Sequence, residues 1–263
     1  MPRQYTYGPF KSRRLGLSLG VDVLPKEKLC TYNCVYCEIG PTFQTASPNF
    51  RIKAPPSLNF YKELKDILNY FPHLDSITFG YNGEPTLNEN LNDFLKIASS
   101  VRDELNWTKK PPVISLFTNS STLFLKEIRE RIKYFDLVLA KLDTATIRDF
   151  KRTNRPNIEC PSPDVIIDSL EKLKRDLKSN KLAIQCLIYN SNRKNFITNN
   201  NDDNINKLAY ALKKIKPDIV QIYSIARIPS EPYVFAIDEE RKKEIVDIFN
   251  NIINNDLVKI DYY

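Results

Sequence analysis

Apolar residues recur along the chain with two periods: every second residue in short runs, every third or fourth in longer ones. These are the patterns of strands and of helices buried on one side. Residues 1–14 are polar and read as irregular. Residues 15–24 alternate leucine or valine with small and polar residues, a strand that Pro25 stops. Residues 38–55 read as a loop, and 57–70 as a helix with Phe60, Leu64, Ile67 and Leu68 inward, closed by Pro72. A strand at 76–80 precedes a helix at 88–105 with Leu91, Phe94, Leu95, Ile97 and Ala98 on one side. Next come a strand at 113–117, a helix at 123–134, a strand at 137–140 and a short basic helix at 146–153 capped by Thr144 or Thr146. Pro163 opens a helix to 177 with Val165, Ile166, Leu170 and Leu173 inward, followed by a strand at 182–188. Residues 190–204, rich in Asn and Asp, read as loop. A helix at 205–215, a strand at 219–224, a helix at 238–251 and a further strand at 257–260 complete the pattern.

Strand and helix thus alternate six times, which implies a parallel sheet with right-handed crossovers. Such a sheet can curl into a partial barrel or lie open and doubly wound, and in both folds ligands bind at the C-terminal strand ends. The polar motifs fall at those ends: the cysteines after the first strand, Asn82-Gly83-Glu84-Pro85, Thr118-Asn119-Ser120, Lys141 with Asp143, and Arg227 with Glu231. No linker or repeat divides the chain. It reads as one domain over 1–263, with an N-terminal segment 1–14, a core 15–235 and a C-terminal helix and tail 236–263.

Composition changes this picture little. The chain is 42% hydrophobic, enough for a sizeable core, and carries a net charge of +7, which suits an anionic partner such as nucleic acid. No apolar run approaches the roughly 18 residues of a membrane helix, and the N-terminus lacks an apolar leader, so the expectation is a soluble, cytoplasmic protein with no membrane partner. Glycine is more informative. Gly8, Gly16, Gly20, Gly40, Gly80 and Gly83 are all six of them, none after residue 83, and they flank the polar motifs. Close backbone approach or a positive φ is the expected reason.

Three of the five cysteines stand together as Cys30-Thr-Tyr-Asn-Cys34-Val-Tyr-Cys37. An odd trio cannot pair off in disulfides, and zinc wants a fourth ligand. Iron–sulfur ligation suits thiolates at this density. Three thiolates on a four-iron cluster leave one iron open for chemistry. Lys141 and Asp143, two apart at a strand end, share a face and form either a binding pair or a structural ion pair. Cys186 reads as a buried apolar residue, Cys160 as a loop thiol, redox-active or inert, and His73 as structural.

The spacing C-x3-C-x2-C with an aromatic residue before the last cysteine resembles the signature of the radical S-adenosylmethionine (SAM) superfamily. Tyr7-Gly8-Pro9-Phe10-Lys11-Ser12-Arg13-Arg14-Leu15-Gly16, Gly83-Glu84-Pro85-Thr86-Leu87 and Asn154-Arg155-Pro156 resemble a subgroup related to wyosine tRNA-base synthetases. The resemblance covers most of the chain and implies an α/β fold, a partial (β/α)6 TIM-like barrel. It implies that Cys30, Cys34 and Cys37 hold a 4Fe–4S cluster whose fourth iron chelates SAM. Reductive cleavage of SAM would give a 5′-deoxyadenosyl radical acting on a further substrate, with an RNA base of tRNA as the favoured refinement, and a ferredoxin or flavodoxin as electron donor. Tyr36 would pack near the adenine. Asn82, Gly83 and Glu84 would meet the SAM amino group, with Asn82 replacing the family's first glycine. Lys141 and Asp143 would take the SAM carboxylate and ribose, and Asn119 and Ser120 the ribose or methionine, with Gln185, inside a strand, a third candidate for such contact. Arg155 and Arg227 face either an anionic substrate or solvent.

The chain departs from the wyosine relatives in having no cysteine before Cys30 for a second cluster. Two alternatives stand beside this reading. One is a non-catalytic zinc- or nucleic-acid-binding protein in which the trio and Cys160 hold zinc. The other is a radical SAM enzyme acting on a peptide or small metabolite.

Overall fold

The computed structural model describes residues 3–255 and 257–263. In chain order the elements are β1 (Thr6–Ser12), β2 (Gly16–Val21), α1 (Leu58–Tyr70), β3 (Ser76–Phe79), α2 (Leu91–Glu104), β4 (Val113–Thr118), α3 (Lys126–Ile132) and β5 (Leu137–Lys141). There follow α4 (Ile147–Thr153), α5 (Pro163–Asp176), β6 (Lys181–Leu187), β7 (Tyr189–Ser191), α6 (Asp202–Ile215), β8 (Ile219–Tyr223), β9 (Val234–Ala236), α7 (Glu239–Ile253) and β10 (Lys259–Tyr262).

Eight strands form one sheet in the order β1-β2-β3-β4-β5-β6-β8-β10, and every pair from β2 onward is parallel. The order never reverses. With crossovers of one hand, all helices then cover the same face, and the sheet curls around the other. A doubly wound sheet would need a reversal, so this is the partial barrel.

The two faces differ in chemistry. Alternate strand residues such as Leu19, Val21, Ile77, Phe79, Leu116, Val138, Ile184 and Ile222 are fully buried in the helix layer, together with Phe60, Phe94, Leu170 and Phe249. The inner face is largely polar. Hydroxyls of Ser18, Thr78, Ser76 and Ser115 form a chain at 2.7–3.0 Å, and Gln185 Nε2 donates to Gln221 Oε1 at 2.8 Å. A small apolar patch of Leu137, Leu139 and Ala183, with Leu15, Phe117 and Ile219 against it, fills the inner face nearer the strand starts.

Several sequence expectations are corrected here. Residues 6–12 are not irregular but form β1; a register shift between Tyr7 and Phe10, beside Gly8 and Pro9, hides its alternation. β1 is also held by a group far away in sequence. Glu63 on α1 accepts from the backbone N–H of Gln4 (2.8 Å), Tyr5 (3.1 Å) and Thr6 (2.7 Å) and from the Thr6 hydroxyl (2.7 Å). Val165 is 43% exposed rather than inward, because it sits in the first turn of α5, off the Ile166–Leu170–Leu173 face. α6 starts at Asp202, three residues before the apolar pattern does, since Asn201 accepts from the Asn204 N–H as its cap. Residues 190 and 191, read as loop, belong instead to β7, which pairs with β9 in a two-stranded sheet too short to show periodicity. Thr146, not Thr144, caps α4. The tail does add a strand, β10, beside β8. Among the described residues no helix is long and apolar enough to cross a membrane.

Burial pushes the Glu63 carboxyl up, but the donors from Thr6, Gln4 and Tyr5 outweigh it and hold its pKa below the usual carboxylate value. A depressed carboxyl stabilises the fold above the unfolded-state pKa and ceases to do so as pH falls through the folded one. Glu63→Gln is therefore expected to cost about 1–2 kcal/mol near neutral pH. That difference should shrink towards zero as pH drops below about 4, measured by urea unfolding; a difference independent of pH would contradict this account of β1.

Candidate cofactor site at the strand ends

The cysteine loop follows β2 and crosses the C-terminal rim of the sheet, clamped on two sides. On one side Leu29 pairs with Gly83 in a parallel bridge, with Leu29 N–H donating to Asn82 O at 3.0 Å and Glu84 N–H to Leu29 O at 2.9 Å. Gly83 has φ +139°, and a β-carbon there would stand 1.8 Å from Leu29 O, so only glycine lets the two backbones meet. The Asn82 side chain donates to Pro25 O and Lys26 O, both at 2.8 Å. On the other side Tyr32 bridges to Pro156, Asn33 N–H donates to Asn154 O at 3.0 Å, Val35 N–H to Thr153 O at 3.0 Å, and Asn157 N–H to Thr31 O at 2.9 Å. The motifs Asn82-Gly83-Glu84 and Asn154-Arg155-Pro156 are these two clamps.

Each thiol of the trio faces its own N–H donor. Asn119 Nδ2 lies 3.5 Å from Cys30 Sγ, Asn154 Nδ2 3.5 Å from Cys34 Sγ, and Lys28 Nζ 3.1 Å from Cys37 Sγ. Burial pushes the Cys30 thiol up to about 11; burial and the neighbouring cysteines push Cys34 up to about 12. Without a metal Cys30 and Cys34 stay protonated at neutral pH, whereas a coordinating metal deprotonates a thiol outright. Among the described residues no three of His, Cys, Asp and Glu converge as they would on a single ion. A cubane cluster asks instead for one thiolate per iron, and hydrogen bonds to its sulfurs tune it. Three half-buried thiols with three outer donors fit that demand.

Beside the thiols lies a narrow cleft lined by Tyr32, Tyr36, Asn119, Lys141, Asp143, Phe150 and Asn154 among others. Asp143, buried, accepts from the Tyr36 hydroxyl, from Leu187 N–H at 2.8 Å and from Asn154 Nδ2 at 3.3 Å. Lys141 Nζ lies 3.7 Å from Asp143 Oδ1, 4.6 Å from the centre of the Tyr36 ring, and donates to the Tyr223 hydroxyl at 2.6 Å. Burial works against its charge, but Asp143 and Tyr223 more than offset this, so its pKa rises and the ammonium is kept. Tyr36 belongs to an aromatic cluster with Tyr189 and Tyr223 outside the main core, and burial, then Asp143, push its phenol pKa well up.

Glu84 is fully buried. Its Oε1 accepts from Thr86 N–H (3.2 Å), Thr86 hydroxyl (2.7 Å) and Thr118 hydroxyl (2.9 Å), and its Oε2 from Asn119 N–H (2.6 Å). Burial raises its pKa despite these donors. Asn119 lines the cleft and reaches both Cys30 and the Thr31 hydroxyl. Ser120 does not: it is buried at φ +71° with its hydroxyl on Lys141 O at 2.8 Å, joining β4 to β5.

The structure thus gathers Cys30, Cys34, Cys37, Tyr36, Glu84, Asn119, Lys141 and Asp143 at one rim, with Asn82 and Gly83 holding the loop. Gln185 sits deeper on the inner face, paired with Gln221. Arg155 neither faces solvent freely nor awaits an anion; it is bound to Glu231 and donates to the Tyr233 hydroxyl at 2.9 Å. Arg227 pairs with Glu38 at 2.9 Å in the open. Cys186 is buried in the helix layer, and half-buried Cys160 approaches Thr31 O at 3.7 Å. Lys28, Tyr32, Asn154 as a side chain, and Tyr223 escaped the sequence reading. Only Asn154 carried a signal, its place in Asn154-Arg155-Pro156.

No family model matches the chain. It is 30% identical over 259 residues to the UPF0026 protein MJ1312 of Methanocaldococcus jannaschii, across 97% of this chain and 74% of that protein. The chain belongs to the UPF0026 family. This UPF0026 member is also 29% identical over 243 residues to a protein named GTPase Obg from Brachyspira hyodysenteriae, spanning 92% of this chain but only 33% of that relative, a third of its length. Among solved structures it superposes on Streptococcus suis SuiB bound to S-adenosylmethionine with a TM-score of 0.60 at 14% identity, covering 90% of this chain and 48% of SuiB. It superposes on TYW1 with a lysine-pyruvate adduct bound at the same TM-score, 0.60, and 13% identity, covering 89% and 73%. Both are radical SAM enzymes, and the UPF0026 chain has their fold.

Gly83→Ala tests the clamp. The clash with Leu29 O and the positive φ are expected to cost at least about 2 kcal/mol in urea unfolding, whereas an unchanged midpoint would mean the loop is held otherwise.

Proposed function

We propose that this UPF0026 chain is a radical SAM enzyme in which Cys30, Cys34 and Cys37 hold a 4Fe–4S cluster and the adjoining cleft binds SAM. The observation that carries the reading is the donor set: three thiols in one rigid loop, each with an N–H donor, opening on a cleft with a retained ammonium. When bound, the cluster supplies the electron that cleaves SAM reductively. The residues of the chain bind and orient. The Lys141 ammonium suits the SAM carboxylate. Glu84 Oε2 has one partner and capacity for another, which suits the SAM amino group. Asp143 supplies the counter-charge to Lys141 and fixes Tyr36 and Asn154. Tyr36 closes one wall and keeps water away.

An RNA base, as in tRNA, is the substrate we favour, supported by the net charge of +7, by the motifs shared with the wyosine-related subgroup and by the fold shared with TYW1. A ferredoxin or flavodoxin is the electron donor that this chemistry requires, and a reducing cytoplasm suits the free thiols.

Anaerobic reconstitution with iron and sulfide, then dithionite and SAM, is expected to yield 5′-deoxyadenosine, and Cys30→Ala to abolish it. Its absence from a well-reconstituted sample, or its persistence in Cys30→Ala, would overturn the reading. The RNA refinement predicts tRNA binding that weakens steeply with salt, as phosphate contacts require; no binding in a low-salt filter assay removes it.

A further inference from the structure

The turn between β1 and β2 carries a side chain that the cofactor chemistry leaves unused. Ser12 Oγ accepts from the N–H of Arg14 at 3.3 Å and of Leu15 at 3.2 Å, which closes the turn. Gly16 (φ +67°) lets it lie against Asp75, just before β3, at the end of the sheet opposite the cysteine loop. From there Leu15 joins the apolar patch of the inner face, and Arg14 reaches between strands towards the far rim. Its guanidinium lies 4.4 Å from the ring centre of Tyr223 at the end of β8 and 5.8 Å from that of Phe117 near the end of β4. Two strands, β5 and β6, separate β4 from β8, so the guanidinium spans the concavity.

Two cations therefore share Tyr223. Lys141 donates to its hydroxyl and has Asp143 as counter-charge. Arg14 has none: among the described residues it makes no ion pair, and its Nη1 is buried without a hydrogen-bond partner. A buried guanidinium nitrogen left unpaired is costly, and stacking on two aromatic faces offsets only part of that cost. The inner face of the sheet also carries neutral amides and hydroxyls, Gln185 with Gln221 and Ser76 with Ser115.

We infer that Arg14 anchors an anionic group, a carboxylate or a phosphate, on the inner face of the sheet beside Tyr223, the ring whose hydroxyl Lys141 holds. That this group belongs to the substrate rests on the enzyme reading above; that an anion binds there does not.

Thermal melts of the purified full chain, without reductant or SAM, test this at constant ionic strength with chloride replaced by inorganic phosphate in one arm and acetate in the other. At an anion concentration about tenfold above its dissociation constant, Tm is expected to rise by about 3 °C over chloride, and the arm that shows the rise identifies the group. Arg14→Gln, compared with its own chloride melt so that any general loss of stability cancels, should lose the rise. Arg13→Gln on the same turn should keep it. No rise with either anion, a full rise retained in Arg14→Gln, or an equal loss in Arg13→Gln would overturn the inference. None of these results depends on a cluster, so they leave the test of 5′-deoxyadenosine formation separate.

Discussion

Leu29 and Gly83 meet backbone to backbone with no room for a β-carbon between them, and the site depends on that contact. It fixes the chain just before Cys30 to the turn after β3. The next residue, Glu84, then falls where the hydroxyl of Thr118 and the N–H of Asn119 can reach it, so β4 is tied in as well. Asn119 in turn reaches back to Cys30 and Thr31. The second clamp does the same from the far side through Asn154, whose amide touches Cys34, Tyr36 and Asp143. Loop, strand ends and cleft are one hydrogen-bonded unit, in which a local shift would leave buried polar groups unpaired.

Electrostatics within that unit favour cation and metal over free thiolate. Burial raises the pKa of Cys30 and Cys34, so negative charge on these two sulfurs develops only when a metal is there to meet it. The nearby donors, two amides and the Lys28 ammonium, then lie in place to accept that charge. Lys141 keeps its proton because Asp143 and Tyr223 stand beside it. The arrangement suits a zwitterionic ligand laid against an open metal position.

The fold was legible in the sequence where periodicity ran long enough. Residues such as Phe60, Leu64 and Leu68 declared α1, and the polar motifs at strand ends marked the rim. The choice between barrel and open sheet was not legible from spacing, because strand order is a tertiary fact; only the family resemblance pointed to it. β1 was hidden by the register shift beside Pro9, and a second anchor, Glu63, lies on a helix more than fifty residues away. Cys30, Cys34, Cys37, Lys141 and Asp143 stood out by type and position. Tyr223 and Lys28 did not, since an exposed lysine and one that faces a thiol look alike in sequence. Ser120 looked like a contact residue and is a strand tie, because its backbone turns the hydroxyl onto Lys141 O.

The central claim is that the cleft at Lys141 faces an iron left open by three cysteines. The EPR spectrum of the reduced, reconstituted protein measures this most directly, recorded before and after addition of SAM. The account predicts a 4Fe–4S signal that changes shape when SAM binds, with the change requiring much more SAM in Lys141→Met. A cluster signal indifferent to SAM would contradict it.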